Sequence, residues 1–519
     1  MTTSETTTDM IVETSHGPIR GFDDGQIKSW KGVRYAAPPT GERRWRSPVA
    51  PTPWADVADA TSFGAVSPQP ENAVIQLSPG AVHDEDCLSL NVWAASSVGT
   101  SAKKPVMVWI HGGAYMYGAS SQPLFDGNSM VADEDVVLVT LNYRLGALGF
   151  LDLSAFSTPE RQFDSNLALR DVLLALTWVQ ENIASFGGDP DQVTLFGESA
   201  GGGMVTTLLT VPAAAGLFSR AIAQSAPATS VYGTERAAHV ADMFLTAAGI
   251  SSGDSAALHA LSADAIVSAG VAVFRDVPTQ FPGTLAFAPV VDGDLVPDYP
   301  LQRARAGLSH PVPLIIGTNK DEAAMFKLMK SPLMPIKPDP IMAMFTDMAS
   351  EQPQITMPSE AQVGTAYTGL SLKAKGMAVA RDIGFRMPSL WLAEAHSAVA
   401  PVYVYRFDWA TPVLKLLGIG ATHATELPYL WGNLVSGPKD ITFKLGGLKR
   451  GREISKRMQA RWLAFAVSGS PAGKSGDPKW LPYTPAARST LVLDKRDALV
   501  DDLDRDLRLA WGDEVLSFL

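Results

Sequence analysis

Apolar residues fall along this chain in two patterns. Continuous apolar runs at 106–110, 136–141, 314–316 and 402–405 read as strands buried on both faces. Residues 88–93 alternate as a strand does, 192–196, 221–223 and 490–493 read as further strands, and 11–14 with 19–22 form a hairpin across His16-Gly17-Pro18. Helical spacing takes over at 166–183, where Leu169, Leu173, Leu176 and Val179 share a face and Gly187-Gly188-Asp189-Pro190 follows. It returns at 204–209, across 236–270 and at 452–466. Strands alternating with helices predict an α/β fold built on one large sheet. Between these elements, 35–54 is rich in Pro and Arg and reads as an extended surface passage, and 62–83 reads as a long loop.

Residues 325–358 break the rhythm. They hold seven of the 17 methionines among several prolines. Two readings compete: an irregular helical insertion packed on the core, or a substrate entrance lined by an adaptable side chain.

One turn organises the rest. Phe196-Gly197-Glu198-Ser199-Ala200-Gly201-Gly202 is a G-x-S-x-G set between a predicted strand and a predicted helix. That context is a nucleophile elbow, which holds a serine in a strained conformation at a helix N-terminus. A serine hydroxyl needs a base, the base needs an acid, and the developing oxyanion needs fixed donors.

The donor loop follows the strand 106–110 as His111-Gly112-Gly113-Ala114. Gly112, Gly113 and Ala114, with the N–H of Ala200, make the candidate oxyanion hole; the bland alternative is an ordinary turn after a strand. The base follows from chain order, serine before acid before histidine. His16, His83 and His111 precede Ser199, and His239, His259 and His396 lie in helical patterns. His310 comes before the strand that should deliver the acid, which leaves His423 in a loop after the strand at 402–405. The acid should follow the strand 314–316, where Asp321 and Glu322 stand side by side; spacing does not choose between them.

Composition narrows the class. The chain has 519 residues, 46% hydrophobic and 18% charged, with net charge −11, which fits a large-cored globular enzyme and disfavours nucleic acid and anionic membranes as partners. No apolar run reaches the length of a membrane span. The single cysteine, Cys87, permits no internal disulfide, and residues 1–9 are polar and acidic, read as a disordered tail without signal-peptide character. A cytoplasmic enzyme is expected. Ser468-Gly469-Ser470-Pro471-Ala472-Gly473-Lys474-Ser475 imitates a P-loop, but it follows a helix and lacks the first glycine.

Taken together, these motifs resemble the type-B carboxylesterase and cholinesterase family of α/β-hydrolases over nearly the whole length. The match runs through Tyr35 to Pro39, Glu85-Asp86-Cys87 with the following strand, Trp109 to Gly113, Asn142 to Ala147, Phe186 to Pro190, the elbow, Gln224-Ser225, Asn319 to Glu322, and His423 with Glu426. The resemblance implies one α/β-hydrolase domain over 10–519: a mostly parallel mixed sheet flanked by helices, with a helical insertion at about 325–380. It implies Glu322 as the acid, with Ser225 supporting it and Glu198 close to the base. Asp321 should then point away and cap the following helix. Ion pairs Arg44–Glu85 and Arg144–Asp171 are also implied. Secreted relatives pair the cysteine of this motif, whereas Cys87 has no partner, as expected of a bacterial-type member.

The expected activity is hydrolysis of small-molecule carboxylic esters, with small to medium acyl or alcohol groups, through an acyl-enzyme on Ser199. No cofactor and no metal are called for, and monomer and homodimer are equally open. Acyl transfer, or carbamate or amide hydrolysis, uses the same groups; a non-catalytic adhesion-type relative would have lost them.

Overall fold

The computed structural model describes residues 10–132, 136–251, 253–434 and 441–519, so the expected tail at 1–9 lies outside the described residues. Seven strands run side by side in parallel at the centre of the main sheet. In spatial order they are Val137–Leu141, Lys104–Ile110, Gly188–Glu198, Arg220–Gln224, Leu314–Asn319, Val402–Phe407 and Thr490–Leu493. Antiparallel strands close both sides: Ser89–Ala95, Ile27–Arg34, Gly17–Asp23 and Met10–Thr14 on one, Ala498–Val500 on the other.

The continuous apolar runs have a simple cause. Side chains alternate between faces, and both faces are covered. Val106, Val108 and Ile110 join one buried cluster, while Met107 and Trp109 join a second on the opposite side. Leu167–Asn182 contributes to the first cluster, and Leu448–Ser468 covers the second.

The alternating strand departs from expectation. Every residue of Ser89–Ala95 is buried, polar ones included. Asn91 is satisfied internally, donating from Nδ2 to Ser120 Oγ and Thr140 Oγ1, each at 3.0 Å. The passage 35–54 is likewise not simply surface. Tyr35 and Trp45 are each 1% exposed; Tyr35 donates to the Asn142 carbonyl at 2.7 Å and Trp45 Nε1 to that of Ala147 at 2.9 Å. Polar neighbours disguised two buried aromatics whose polar tips find carbonyls.

Both implied ion pairs are present. Arg44 pairs with Glu85. Arg144 meets Asp171 at 2.6 Å with both side chains almost fully buried, and its Nη1 also donates to the Arg46 carbonyl at 2.8 Å. Cys87 is buried and unpaired, and burial pushes its thiol up to about 12.

Between Leu314–Asn319 and Val402–Phe407 the chain forms helices Ala323–Leu328, Pro338–Glu351, Glu360–Thr365 and Leu372–Arg381. Its methionines divide between the two readings. Met344 and Met348 are buried, Met342 is 51% exposed, and Met325 and Met329 reach a cavity that opens on Ser199. No helix of the described residues is long and apolar enough to cross a membrane.

Candidate active site

Parallel strands of the main sheet deliver the candidate residues at their C-terminal ends. Gly188–Glu198 leads to Ser199, and the neighbouring pair Leu314–Asn319 and Val402–Phe407 leads to Glu322 and His423, with Arg220–Gln224 seated between the first strand and that pair. Ser199 follows Gly188–Glu198 and precedes Ala200–Leu208, with φ 55° and ψ −123°. A left-handed φ is costly for a residue with a Cβ, and the surroundings hold it there. The Ser199 N–H donates to the Gln224 carbonyl at 2.9 Å, and its own carbonyl accepts from Gly203 N–H at 2.8 Å. The glycines are required by proximity: a Cβ on Gly201 would lie 2.1 Å from the Ile110 carbonyl oxygen, and one on Gly112 would lie 2.7 Å from that of Glu198.

His423 bridges the set. Its Nε2 lies 2.8 Å from Ser199 Oγ and its Nδ1 2.7 Å from Glu322 Oε2. The second oxygen of Glu322 accepts from Ser225 Oγ and from the Asn319 N–H, each at 2.6 Å. Glu322 is fully buried and His423 is 5% exposed. Phe326 and Phe385 flank the imidazole, with ring centroids at 5.2 and 4.7 Å. Of the two neighbouring acids, Glu322 meets the histidine.

Asp321 does not do what was expected of it. Helix Ala323–Leu328 has Glu322 at its N-cap and no side-chain cap. Asp321 instead accepts from the Ala421 N–H at 3.1 Å while its own N–H donates to the Ala421 carbonyl at 2.8 Å. It ties its strand end to the loop that carries His423. Burial is the first reason its carboxyl is raised.

The loop at 112–114 lies against the elbow. Gly113, Ala114 and Tyr115 have φ of 124°, 52° and 60°, bending the chain beside Ser199. His111, before the bend, is buried; it stacks on Tyr143 at 4.5 Å, and its Nδ1 is 2.8 Å from the Gly112 carbonyl. Burial lowers it to about 4, so this ring is neutral. Ala200 opens the helix, so its N–H has no intrahelical acceptor.

Two further carboxylates lie beneath. Glu198 Oε1 is 3.3 Å from His423 Nε2. Glu426, three residues after His423 at the end of the same loop, accepts from Gln224 Nε2 at 3.2 Å and from Asn319 Nδ2. Asn319 also ties Nδ2 to the Thr422 carbonyl at 2.8 Å, and Gln224 Oε1 accepts from Trp462 Nε1 at 3.2 Å. The sequence assigns Asn319, Gln224 and Glu426 no role of their own; their signal was that they fall in the family motifs beside Glu322, Ser225 and His423.

These charges act on one another. Burial comes first for Glu198, opposed by His423 and reinforced by Glu426 and Glu322, and raises it to about 8. Burial and then Glu322 raise Glu426 to about 7. Burial pulls His423 down, but Glu198, Glu322 and Glu426 outweigh it and raise the imidazole to about 9.

The cavity above Ser199 has a volume of about 710 Å³, within the ordinary range for small-molecule sites. Gly112, Gly113, Ala114, Glu198, Ser199 and His423 sit at its base, and Leu124, Phe125, Phe274, Phe326, Leu434 and Phe443 make much of its wall.

Comparison with known proteins identifies the family and the fold. The model of the carboxylesterase family matches residues 8–509. A para-nitrobenzyl esterase of Bacillus subtilis (strain 168) is 37% identical over 511 residues, covering 96% of this chain and 98% of its own. The solved structure of a PNB esterase superposes with a TM-score of 0.81 at 34% identity, covering 97% of this chain and 100% of that one. The carboxylesterase of Geobacillus stearothermophilus gives a TM-score of 0.83 at 34% identity with the same coverage. The chain therefore belongs to the carboxylesterase family, has the α/β-hydrolase fold, and is a carboxylic-ester hydrolase.

Proposed function

We propose that this enzyme hydrolyses carboxylic esters of small to medium apolar acyl or alcohol groups through an acyl-enzyme on Ser199. One observation carries the reading: the hydrogen-bonded chain Ser199–His423–Glu322, at 2.8 and 2.7 Å, at the base of an apolar cavity. His423 Nε2 takes the Ser199 proton as Oγ attacks the ester carbonyl. The C–O bond then breaks, and the same nitrogen returns the proton to the leaving alcohol. Glu322, fixed by Ser225 and Asn319, holds Nδ1–H and stabilises the imidazolium. The N–H groups of Gly113, Ala114 and Ala200 hold the oxyanion, with Gly112 giving the loop room to approach. A water deprotonated by His423 then releases the acid.

Glu198 sets the proton balance. A proton on this buried carboxyl removes the foremost attraction that raises His423 and so favours the neutral imidazole, the form that acts as a base. The lone buried Cys87 fits a reducing compartment, and we place the enzyme in the cytoplasm. The acidic surface of a chain with net charge −11 favours small-molecule substrates over nucleic acid.

An alkyl fluorophosphonate tests the assignment. One label per chain, on Ser199, with complete loss of p-nitrophenyl ester hydrolysis is the expected result. Label on another residue, or full turnover in Ser199→Ala, overturns it.

A further inference from the structure

A second concavity of about 770 Å³ lies beside the catalytic cavity. The two share a wall of Phe326, Lys330, Ser331 and Pro332. Much of the lining of the second is apolar, including Pro278, Met334, Ile336 and Leu372. Leu372 is 70% exposed. Four lysines stand around it: Lys327, Lys330, Lys337 and Lys373.

These lysines run against the charge of the molecule. The chain carries a net −11, yet none of the four has a carboxylate within ion-pair distance among the described residues, whereas Lys320 pairs with Asp408. Helices Ala323–Leu328 and Leu372–Arg381 pack together and set Lys327 against Lys373. That side-chain contact is the first reason Lys327 is lowered from its ordinary value. Two ammonium groups in contact repel. An anion between them turns the repulsion into two charge-assisted hydrogen bonds.

We propose that this groove, walled by Phe326, Ile336 and Leu372 and ringed by Lys327, Lys330, Lys337 and Lys373, is a second ligand site that takes an amphipathic carboxylate. The apolar lining receives the alkyl chain and the Lys327–Lys373 pair the carboxylate. A concave site of this volume favours one molecule with a tail over a flat lipid face. Hydrolysis of an alkyl ester releases this chemical class next door, across the Phe326–Pro332 wall.

Decanoate is the probe, titrated calorimetrically into whole enzyme whose Ser199 has been blocked by the fluorophosphonate and checked by mass. The mass reads the nucleophile assignment and the heat reads the groove, so failures of the two are distinct. If the serine takes no label, the same titration on unlabelled variants still decides the groove. Saturable binding at one site is expected, weakened about tenfold or more in Lys327→Gln/Lys373→Gln and kept in Lys327→Arg/Lys373→Arg. Decanol should bind more weakly than decanoate. Melting curves establish that each variant is folded. No saturable heat, equal affinity in the glutamine variant, or equal affinity for decanol overturns the proposal. So does binding only to phosphatidylglycerol vesicles, which makes the patch a lipid-docking face.

Discussion

Glu198 Oε1 stands 3.3 Å from His423 Nε2, the same ring nitrogen that meets Ser199 Oγ at 2.8 Å. A buried carboxylate oxygen thus stands beside the nitrogen that takes the serine's proton, close enough to act on its charge. His423 acts as a base only when neutral, so activity is lost as pH falls through its pKa. A raised pKa moves that acid limb upward. Glu198 is the foremost raising cause. Glu198→Gln should therefore move the acid limb of kcat/KM to lower pH, measured with a slow ester. An unmoved or upward-shifted limb refutes the coupling.

Glu322 and Asp321 separate cleanly in what they touch. Glu322→Gln keeps the shape but no longer stabilises the imidazolium. The corresponding change in a serine protease cost about 10⁴ in kcat, and a loss of several orders is expected here with little change in KM. Asp321→Asn weakens only the tie to Ala421 and should cost about 0.5–1.5 kcal/mol of stability, leaving kcat near wild type. Steady-state kinetics and urea unfolding on both variants decide it.

The methionines should divide as their positions do. Met329→Ala and Met325→Ala enlarge the cavity over Ser199 and should shift preference toward bulkier esters in a chain-length series. Met344, 1% exposed, should cost about 2–5 kcal/mol as alanine. Met342, 51% exposed, should change neither stability nor selectivity appreciably.

Gly201→Ala tests the elbow. The added Cβ would fall 2.1 Å from the Ile110 carbonyl oxygen, and backbone must move to admit it. Overpacking of this kind costs about 1–3 kcal/mol. Displacing the elbow should also lower kcat, read from melting temperature and kinetics on the same sample.

Much of this was legible from residue order because buried parallel strands and glycine turns leave local marks. Gly197 and Gly201 flag the elbow, and the apolar runs flag the central strands. The preference for Glu322 over Asp321 came from family resemblance alone, since two adjacent acids after a strand look alike until the turn is built. Other features are set by distant partners. Trp45 is buried because Ala147 offers it a carbonyl. Asn91 is buried because Ser120 and Thr140 accept from it. Glu426 reaches the site through Gln224 and Asn319. Asp321 was misjudged because its partner, Ala421, lies 100 positions away. Such pairings leave no periodic trace.

The parallel ladder also governs how this enzyme acquires activity. Ser199 and His423 are separated by 224 positions, and Leu314–Asn319 must seat between Arg220–Gln224 and Val402–Phe407 before Glu322 faces the histidine. Parallel strands cannot zip from a local hairpin, and distant contacts form slowly. A nascent chain that has emerged only as far as the elbow already carries the serine but has nothing to activate it. Esterase turnover during refolding is thus a late signal, arriving after the bulk of helical structure, and a ribosome-bound fragment ending before residue 423 should be inert.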